Sequence, residues 1–307
     1  MTELIAARVR VPCSTSNLGS GYDTIGLALD RYLDVGFQPH DGGELIVERT
    51  GTLARLDTMN EPDLAAAVFT NELGKHSIVP SGTLTLRSQI PVARGLGASA
   101  AAVLAGYDLA RGVRGEPRDD RSAFKAALHH EGHGDNAAPS LFGGLQAVAS
   151  TPDGPVLMAL QLSERVGFAY AAPAAGVATR EARDLLPKHV PHRVAAASLG
   201  RFVALIRGLA EGNPKLLRIG VKDELHVPYR LSLIPSSMSA MSAGVDAGAW
   251  AVTVSGAGSG LIAMCDPEDA AGVAAAMHSV FDAGTGDPEC VGFAVRPNGS
   301  GLTRVEP

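Results

Sequence analysis

A glycine-containing turn between an apolar strand and an alanine-rich helix constrains the fold of this chain more than any other segment. The turn lies in Pro91-Val-Ala-Arg-Gly-Leu-Gly-Ala-Ser-Ala-Ala-Ala102, directly after a short apolar strand pattern. Gly95 and Gly97 can adopt positive φ angles without steric cost and let a ligand approach the backbone closely. The first amides of the following helix lack intrahelical partners and carry the positive end of its dipole, so an anion fits there. The segment therefore predicts a phosphate cradle.

Three other kinds of segment use glycines in a similar way. A Walker A loop is excluded because no G-x-x-x-x-G-K-[ST] string occurs, and Ala100 stands where a dinucleotide fingerprint needs its third glycine. A tight strand-to-helix turn with a small-residue packing face would use the same glycines without binding any ligand. The glycines alone leave the phosphate cradle and this structural turn both open.

Length and composition restrict the class of protein. A chain of 307 residues is at the size where one core usually divides into two. Its 46% hydrophobic and 19% charged residues describe a folded globular chain. The net charge of −6 argues against a nucleic-acid partner, and the apolar runs are too short for a membrane span. Three cysteines without a C-x-x-C pair, and the lack of a signal-peptide pattern, favour a cytoplasmic location.

Apolar periodicity predicts an α+β protein with two halves, 1–153 and 154–307, divided at the turn formers Thr151-Pro-Asp-Gly-Pro155. In the first half it predicts strands at 6–12, 33–38, 43–49, 82–90 and 143–150, and helices at 63–73, 99–110 and 121–130. In the second half it predicts strands at 156–161, 167–171, 252–255, 261–264 and 292–295, and helices at 179–186, 193–211, 215–222 and 267–281.

A polar, glycine-punctuated loop is predicted at residues 12–26. Within it, Asp23 can bind an ammonium or hydroxyl group, and Asn17 offers both a donor and an acceptor. A helix cap at Asp23 and an Asx-turn at Asn17 are equally open structural explanations.

A second polar segment, Glu131-Gly-His-Gly-Asp-Asn136, follows a predicted helix. A carboxylate at a helix C-terminus opposes the dipole, so Glu131 suggests a ligand, most simply Mg²⁺ held together with the Ser99 hydroxyl. A solvated carboxylate at a frayed helix end is the alternative. Zinc binding through His133 is disfavoured because no second histidine or cysteine lies at metal spacing, and Gly132 is expected to end the helix before it.

The second half contains two arginines and a further glycine turn. Arg183 and Arg230 are of the residue type that clamps carboxylates in a bidentate manner, although such an arginine, taken singly, is more often a solvated surface residue. The turn Ser255-Gly-Ala-Gly-Ser-Gly260 is weak evidence by itself.

Together these segments resemble the homoserine kinase family within the GHMP kinase superfamily. The P-x-x-x-G-L-G-x-S-A-A string is similar to the second superfamily motif, residues 12–26 to the first, and residues 255–260 to the third. Four further stretches point to homoserine kinases, namely 131–139, 179–187, 223–230 and 233–235. The resemblance spans residues 5–265.

The resemblance implies a fold with an N-terminal domain like ribosomal protein S5 domain 2 and a ferredoxin-like C-terminal domain. It implies ATP as phosphate donor, Mg²⁺ held by Ser99 and Glu131, and a possible homodimer. The ATP contacts it implies are Pro91, Arg94, Gly95, Leu96, Gly97, Ala98, Ser99 and Ala100. The L-homoserine contacts it implies are Asn17, Asp23, His133, Asn136, Arg183, Arg230 and Gly258. Asn136 would orient the substrate hydroxyl and, with Ser99 and Glu131, form the catalytic set.

Three departures from the family pattern accompany this resemblance. Ala98 replaces a serine of the second motif, Gly258-Ser-Gly260 replaces the usual Gly-Pro-Thr, and residues 53–75 match the adenine-side region poorly. Two alternative functions therefore stay open at this point: a GHMP kinase acting on another small alcohol, and a GHMP-fold binding protein without catalysis.

Overall fold

Two β-sheets, each packed against helices, organise the chain. The computed structural model describes residues 3–54, 56, 63–285 and 289–306. The strands are β1 (Ala7–Asn17), β2 (Gly21–Pro39), β3 (Leu45–Gly51), β4 (Gly82–Ser88), β5 (Leu145–Thr151), β6 (Gly154–Leu160), β7 (Gly167–Ala172), β8 (Ala251–Val254), β9 (Leu261–Cys265), β10 (Val291–Val295) and β11 (Thr303–Val305). The helices are α1 (Leu64–Gly74), α2 (Ala98–Gly112), α3 (Asp120–Glu131), α4 (Ala137–Phe142), α5 (Thr179–Asp184), α6 (His192–Glu211), α7 (Pro214–Gly220), α8 (Val227–Arg230), α9 (Ser237–Asp246) and α10 (Ala270–Thr285).

The first sheet has the strand order β11-β1-β2-β4-β3, and the hairpin β5–β6 attaches through β2. All of its pairs are antiparallel except β3 with β4. Helix α2 crosses this sheet with ten buried residues, most of them alanine, glycine and leucine. Small side chains let α1 and α2 pack closely, since a Cβ at Gly106 would lie 2.5 Å from the Ala65 carbonyl oxygen.

The second sheet is antiparallel with the order β10-β7-β9-β8. Its strands alternate with helices as β7, helices α5–α9, β8, β9, α10 and β10. This is the split βαββαβ arrangement of ferredoxin-like domains. The predicted division after residue 153 falls in the turn between β5 and β6. Both strands of that hairpin belong to the first sheet, because β5 pairs with β2 and with β6. Strand β11 at the C-terminal end also returns to the first sheet.

The α+β prediction is confirmed, and the predicted loop at residues 12–26 is wrong. Strand β1 continues to Asn17 and β2 begins at Gly21, which leaves a turn of three residues. The polar side chains tolerate burial in a strand because they find partners across the molecule. The Thr15 hydroxyl, for example, lies 2.9 Å from that of Ser255.

Four elements were not predicted: β11, α4, α8 and α9. All are short or have weak apolar periodicity. Within the described ranges, the helices are too short or too polar to cross a membrane.

Candidate active site

A cavity of about 320 Å³ lies where the glycine turn before α2 meets the β1–β2 turn and the second half of the chain. Nearly all the predicted site residues line it. These are Asn17, Asp23, Pro91, Arg94, Gly95, Leu96, Gly97, Ala98, Ser99, Glu131, His133, Asn136, Arg183, Arg230 and Gly258. Ala100 is the exception, because it is 1% exposed and packs in the core behind the start of α2.

The glycine turn depends on two left-handed residues. Gly95 has φ +73° and Gly97 has φ +62°. A Cβ at Gly97 would lie 2.4 Å from the Ser14 Oγ, and one at Gly95 would lie 1.9 Å from the Ser255 carbonyl oxygen. Helix α2 then begins at Ala98 without a side-chain cap on its first amides. Its positive end, with Ser99 in the first turn, is therefore available to an anion in the cavity.

The Asn136 side chain is held at both of its polar ends. Its Oδ1 accepts a hydrogen bond from the Ser14 Oγ at 3.1 Å, and its Nδ2 donates to the Ser16 Oγ at 3.1 Å. Both serines belong to β1, and Ser140 on α4 donates to the Ser14 hydroxyl. This network fixes the amide plane at the wall of the cavity.

Glu131 is the last residue of α3, and Gly132 ends the helix as predicted, with φ +77°. The Glu131 Oε1 is buried without a hydrogen-bond partner among the described residues, and Oε2 lies 3.8 Å from the His133 Nε2. A buried carboxylate oxygen with no partner at the negative end of a helix is costly. Glu131 therefore fits a cation ligand better than the frayed, solvated end that was the alternative.

His133 forms a dyad with Asp135, a residue that sequence reasoning did not single out. The His133 Nδ1 makes a short hydrogen bond to the Asp135 Oδ1. Burial lowers the pKa of His133, but the hydrogen bond and charge of Asp135 outweigh it, so the pKa is raised above its ordinary value. Across the described ranges, ligand atoms of Asp23, His133 and Asp135 lie within 4.8 Å of one another, close enough to share a metal ion. The expectation that His133 has no partner for a metal considered only histidine and cysteine, and it missed these carboxylates.

Asp23 and Arg183 pair with each other across the cavity. The Arg183 guanidinium donates to both Asp23 carboxylate oxygens, at 2.7 and 3.0 Å, and to the Tyr22 hydroxyl at 3.1 Å. Burial lowers the pKa of Arg183, but the hydrogen bond and charge of Asp23 outweigh it and raise the pKa. Asp23 is in β2 with φ +52° and not at a helix start, so the helix-cap explanation for it is wrong.

Arg230 is buried without a carboxylate partner. Its side chain is 1% exposed, and no acidic side chain of the described ranges lies within ion-pair distance. Its Nη1 donates to the Gly256 carbonyl oxygen at 2.8 Å and to the His226 Nδ1 at 3.1 Å, while its Nε has no hydrogen-bond partner there. Burial lowers the pKa of this guanidinium. An unpaired buried cation on a cavity wall calls for an anionic ligand.

The third glycine turn ties the halves of the site together. The Gly256 amide donates to the Ser16 carbonyl oxygen at 3.1 Å, and the Gly256 carbonyl oxygen accepts from the Asn17 Nδ2 at 2.9 Å. The Asn17 Oδ1 accepts from the Asp23 amide at 2.9 Å, so both polar atoms of this side chain are hydrogen-bonded to backbone groups. Gly258 lies at the cavity wall beyond this contact.

Comparison with known proteins identifies the family. The sequence profile of the GHMP kinases N terminal domain matches residues 60–144, and that of the GHMP kinases C terminal domain matches residues 205–283. A homoserine kinase from Microchaete diplosiphon is 36% identical over 283 residues, which cover 92% of each chain. Another from Trichormus variabilis is 34% identical and covers 92% of this chain and 93% of its own. This chain belongs to the homoserine kinase family.

The fold agrees with that of a family member. A crystal structure of homoserine kinase from Cytophaga hutchinsonii superposes with a TM-score of 0.83 at 26% identity, covering 98% of this chain and 97% of that chain. The predicted two-domain GHMP kinase fold is thereby confirmed. As in the family generally, the chain is an ATP-dependent kinase of small molecules.

Proposed function

We propose that this chain transfers the γ-phosphoryl group of ATP to the side-chain hydroxyl of L-homoserine, with Mg²⁺. The observation that carries the choice of acceptor is Arg230, a buried guanidinium without a carboxylate partner in the described ranges, on the cavity that also contains the glycine turn. An amino acid supplies the carboxylate that this cation lacks. An uncharged alcohol of similar size does not.

The charged groups of the cavity match a zwitterion. Arg230 and Arg183 would take the carboxylate, and Asp23 would take the ammonium group. His133 and Asn17 would complete the polar contacts of the amino acid, and Gly258 would contact it through the backbone. In this arrangement the substrate hydroxyl would face Asn136 and the start of α2.

ATP phosphates would lie along the turn from Gly95 to Ser99. The amides at the start of α2 suit them because they carry the dipole's positive end and have no side-chain cap. Ala98 offers the same backbone amide as the serine it replaces. The adenine ring would lie against apolar residues of the cavity such as Leu53, Leu64 and Leu86. Part of the adenine-side region predicted at residues 53–75, namely 55 and 57–62, lies outside the described ranges.

Ser99 and Glu131, which both line the cavity, would hold Mg²⁺. Their hydroxyl and carboxylate are hard oxygen ligands, and the Glu131 Oε1 has no hydrogen-bond partner among the described residues. When bound, the metal neutralises charge on the phosphate oxygens.

Asn136 would position the attacking hydroxyl. An amide does not accept a proton at neutral pH, so the hydroxyl proton passes to the phosphoryl group during transfer. This division suits phosphoryl transfer, because positioning and charge stabilisation outweigh base strength there. The contacts with Ser14 and Ser16 hold the amide in one orientation for this role.

The test is an ADP-release assay with Mg-ATP and, in turn, L-homoserine, L-serine, L-threonine, mevalonate and galactose. We expect turnover with L-homoserine and its loss by about 10²-fold or more in Glu131→Gln. Glu181→Gln, on the exposed face of α5, is the matched control and should leave turnover unchanged. Turnover with a different alcohol would overturn the substrate assignment, and ATP binding without any turnover would favour a binding protein. A homodimer and a cytoplasmic location stay predictions.

A further inference from the structure

Arg230 is linked by hydrogen bonds to His226 and, through it, to Gly19. The proposed function uses Arg230 but assigns no role to His226. Both of its hydrogen bonds to described residues are made by one terminal nitrogen, Nη1, to Gly256 and to His226. Its Nε is buried without a partner among the described residues, and Nη2 takes part in neither of these two hydrogen bonds. These two nitrogens form the edge of a guanidinium that binds a carboxylate in a bidentate manner. The protein therefore holds one corner of Arg230 and leaves the opposite edge for a ligand.

The tautomer of His226 is set by its other contact. The His226 Nε2 lies 2.9 Å from the Gly19 carbonyl oxygen, which can only accept a hydrogen bond. Nε2 must therefore carry the hydrogen, and in the neutral ring Nδ1 is left as an acceptor. That acceptor is the atom 3.1 Å from the Arg230 Nη1.

The surroundings hold His226 neutral and fixed in place. The side chain is fully buried, and its ring stacks on Tyr22 with centroids 5.0 Å apart. The Asp223 Oδ2 accepts from the His226 and Val227 amides and so fixes the start of α8. Burial lowers the pKa of His226 to about 4, against the opposing effect of Asp223. A protonated ring would turn an N–H toward the Arg230 N–H, which the neutral ring avoids.

We propose that His226 is a positioning residue that holds the Arg230 guanidinium by its Nη1, so that the Nε and Nη2 edge meets the substrate carboxylate. His226 and Arg230 are four residues apart and lie on one face of a single helical turn. The β1–β2 turn, through Gly19, thus helps to orient an arginine of the second half. The inference rests on the proposed function, since it assigns the carboxylate of L-homoserine to that edge.

Kinetics of two substitutions test this role. His226→Leu removes the acceptor, and we expect the KM for L-homoserine to rise by about tenfold or more with kcat within about threefold of wild type. His226→Asn restores an acceptor near the position of Nδ1 and should recover most of the loss. His278→Leu is the matched control, because His278 also contacts a backbone carbonyl oxygen but lies on α10, away from the cavity.

A double-mutant cycle separates positioning from a general structural effect. In an Arg230→Met background, His226→Leu should have no further effect on kcat/KM, because the group it positions is gone. Equal losses in His226→Asn and His226→Leu, or losses that multiply with Arg230→Met, would overturn the proposal. A wild-type protein that does not phosphorylate L-homoserine would instead overturn the proposed function, and the assignment of the carboxylate with it. Thermal midpoints of all variants show whether each one folds.

Discussion

Single side chains in this cavity carry charges that the fold alone does not require. Glu131 has a buried oxygen without a partner among the described residues, and Arg230 is buried without a counter-charge in those ranges. Each reduces stability, because desolvating a charge without pairing it is unfavourable. Because both residues line the same cavity, we infer that ligands provide these partners.

Unfolding as a function of pH should reveal His226. Its folded-state pKa of about 4 lies below the ordinary value of 6.5, so the unfolded chain binds a proton first as the pH falls. The stability tied to the neutral ring is complete above about pH 6.5 and is lost as the pH falls toward 4. Urea unfolding between pH 7 and pH 4 should show the wild type losing about 3 kcal/mol more than His226→Asn.

Other titrating groups bear on that measurement in different ways. His133, whose pKa is raised, acts in the opposite sense but is common to both proteins, so it cancels in the difference. Asp223, Arg230 and Tyr22 all face the His226 ring, and all are retained in the variant. Parallel stability curves for the two proteins would contradict the assignment of a neutral, buried ring.

At the scale of elements, the glycine turn before α2 is needed for close packing against neighbouring side chains as well as for the proposed phosphate site. Gly97 is in the left-handed region, and a Cβ there meets the Ser14 and Asn136 side chains at 2.4 and 2.9 Å. Both partners belong to the network that orients the Asn136 amide. A change at Gly97 therefore affects both the start of α2 and the Asn136 side chain.

Gly97→Ala and Gly115→Ala form a matched pair that separates these effects. Gly115 has φ +70° with nothing within 4 Å of an added Cβ, so its substitution costs only the backbone term of about 1 kcal/mol. Gly97→Ala adds the clash and should cost about 2–4 kcal/mol and lower kcat/KM by about 10²-fold. Urea unfolding and the ADP-release assay measure both, and equal effects of the two substitutions would show that the clash is relieved at no cost.

The sequence predicted elements well where apolar periodicity is strong and poorly where polar residues are buried. Helices α2, α3 and α6 lie within a few residues of their predicted bounds. The sequence predicts a loop over the end of β1 and the start of β2, because a run of serines and threonines is typical of exposed turns. Their burial depends on partners more than a hundred residues away, such as Asn136 for Ser14, and local sequence does not report these.

Sequence reasoning named most of the residues that line the cavity but not their connections. Residue chemistry and motif resemblance both indicated Arg183, Arg230 and Glu131, whereas Asp135 and His226 were found only in three dimensions. The spacing of His226 and Arg230, four residues apart, was a usable signal, but it requires knowing that 227–230 is helical. Pairing of Asp23 with Arg183 was not predicted, because each had been assigned to a different end of the substrate.

At the scale of the whole molecule, the C-terminal strand joins the last residues to the first strand. Strand β11 pairs with β1, and Arg304 makes a bidentate ion pair with Asp108 of α2 at 2.8 and 2.9 Å. The Asp108 side chain is only 3% exposed. The second half thus contributes structural contacts to the first sheet and to α2 through residues that do not line the cavity.

Arg304→Met should destabilise the protein by about 3 kcal/mol, because it leaves the Asp108 carboxylate buried without its partner. The double variant Arg304→Met with Asp108→Leu should recover much of that loss, since no charge is then buried alone. Urea unfolding measures both proteins. The KM for the acceptor should stay unchanged in each, and a tenfold change in KM would show that this contact reaches the site.

The Asp23–Arg183 ion pair affects which ligands can bind in the cavity. The two side chains already neutralise each other's charge and make two hydrogen bonds to each other. Under the proposed function the amino acid breaks this ion pair when it binds. Its ammonium group then pairs with Asp23, and its carboxylate pairs with Arg183. A simple amine would release Arg183 from Asp23 without giving it another carboxylate. The cavity therefore favours a ligand that carries both charges over one that carries only a positive charge.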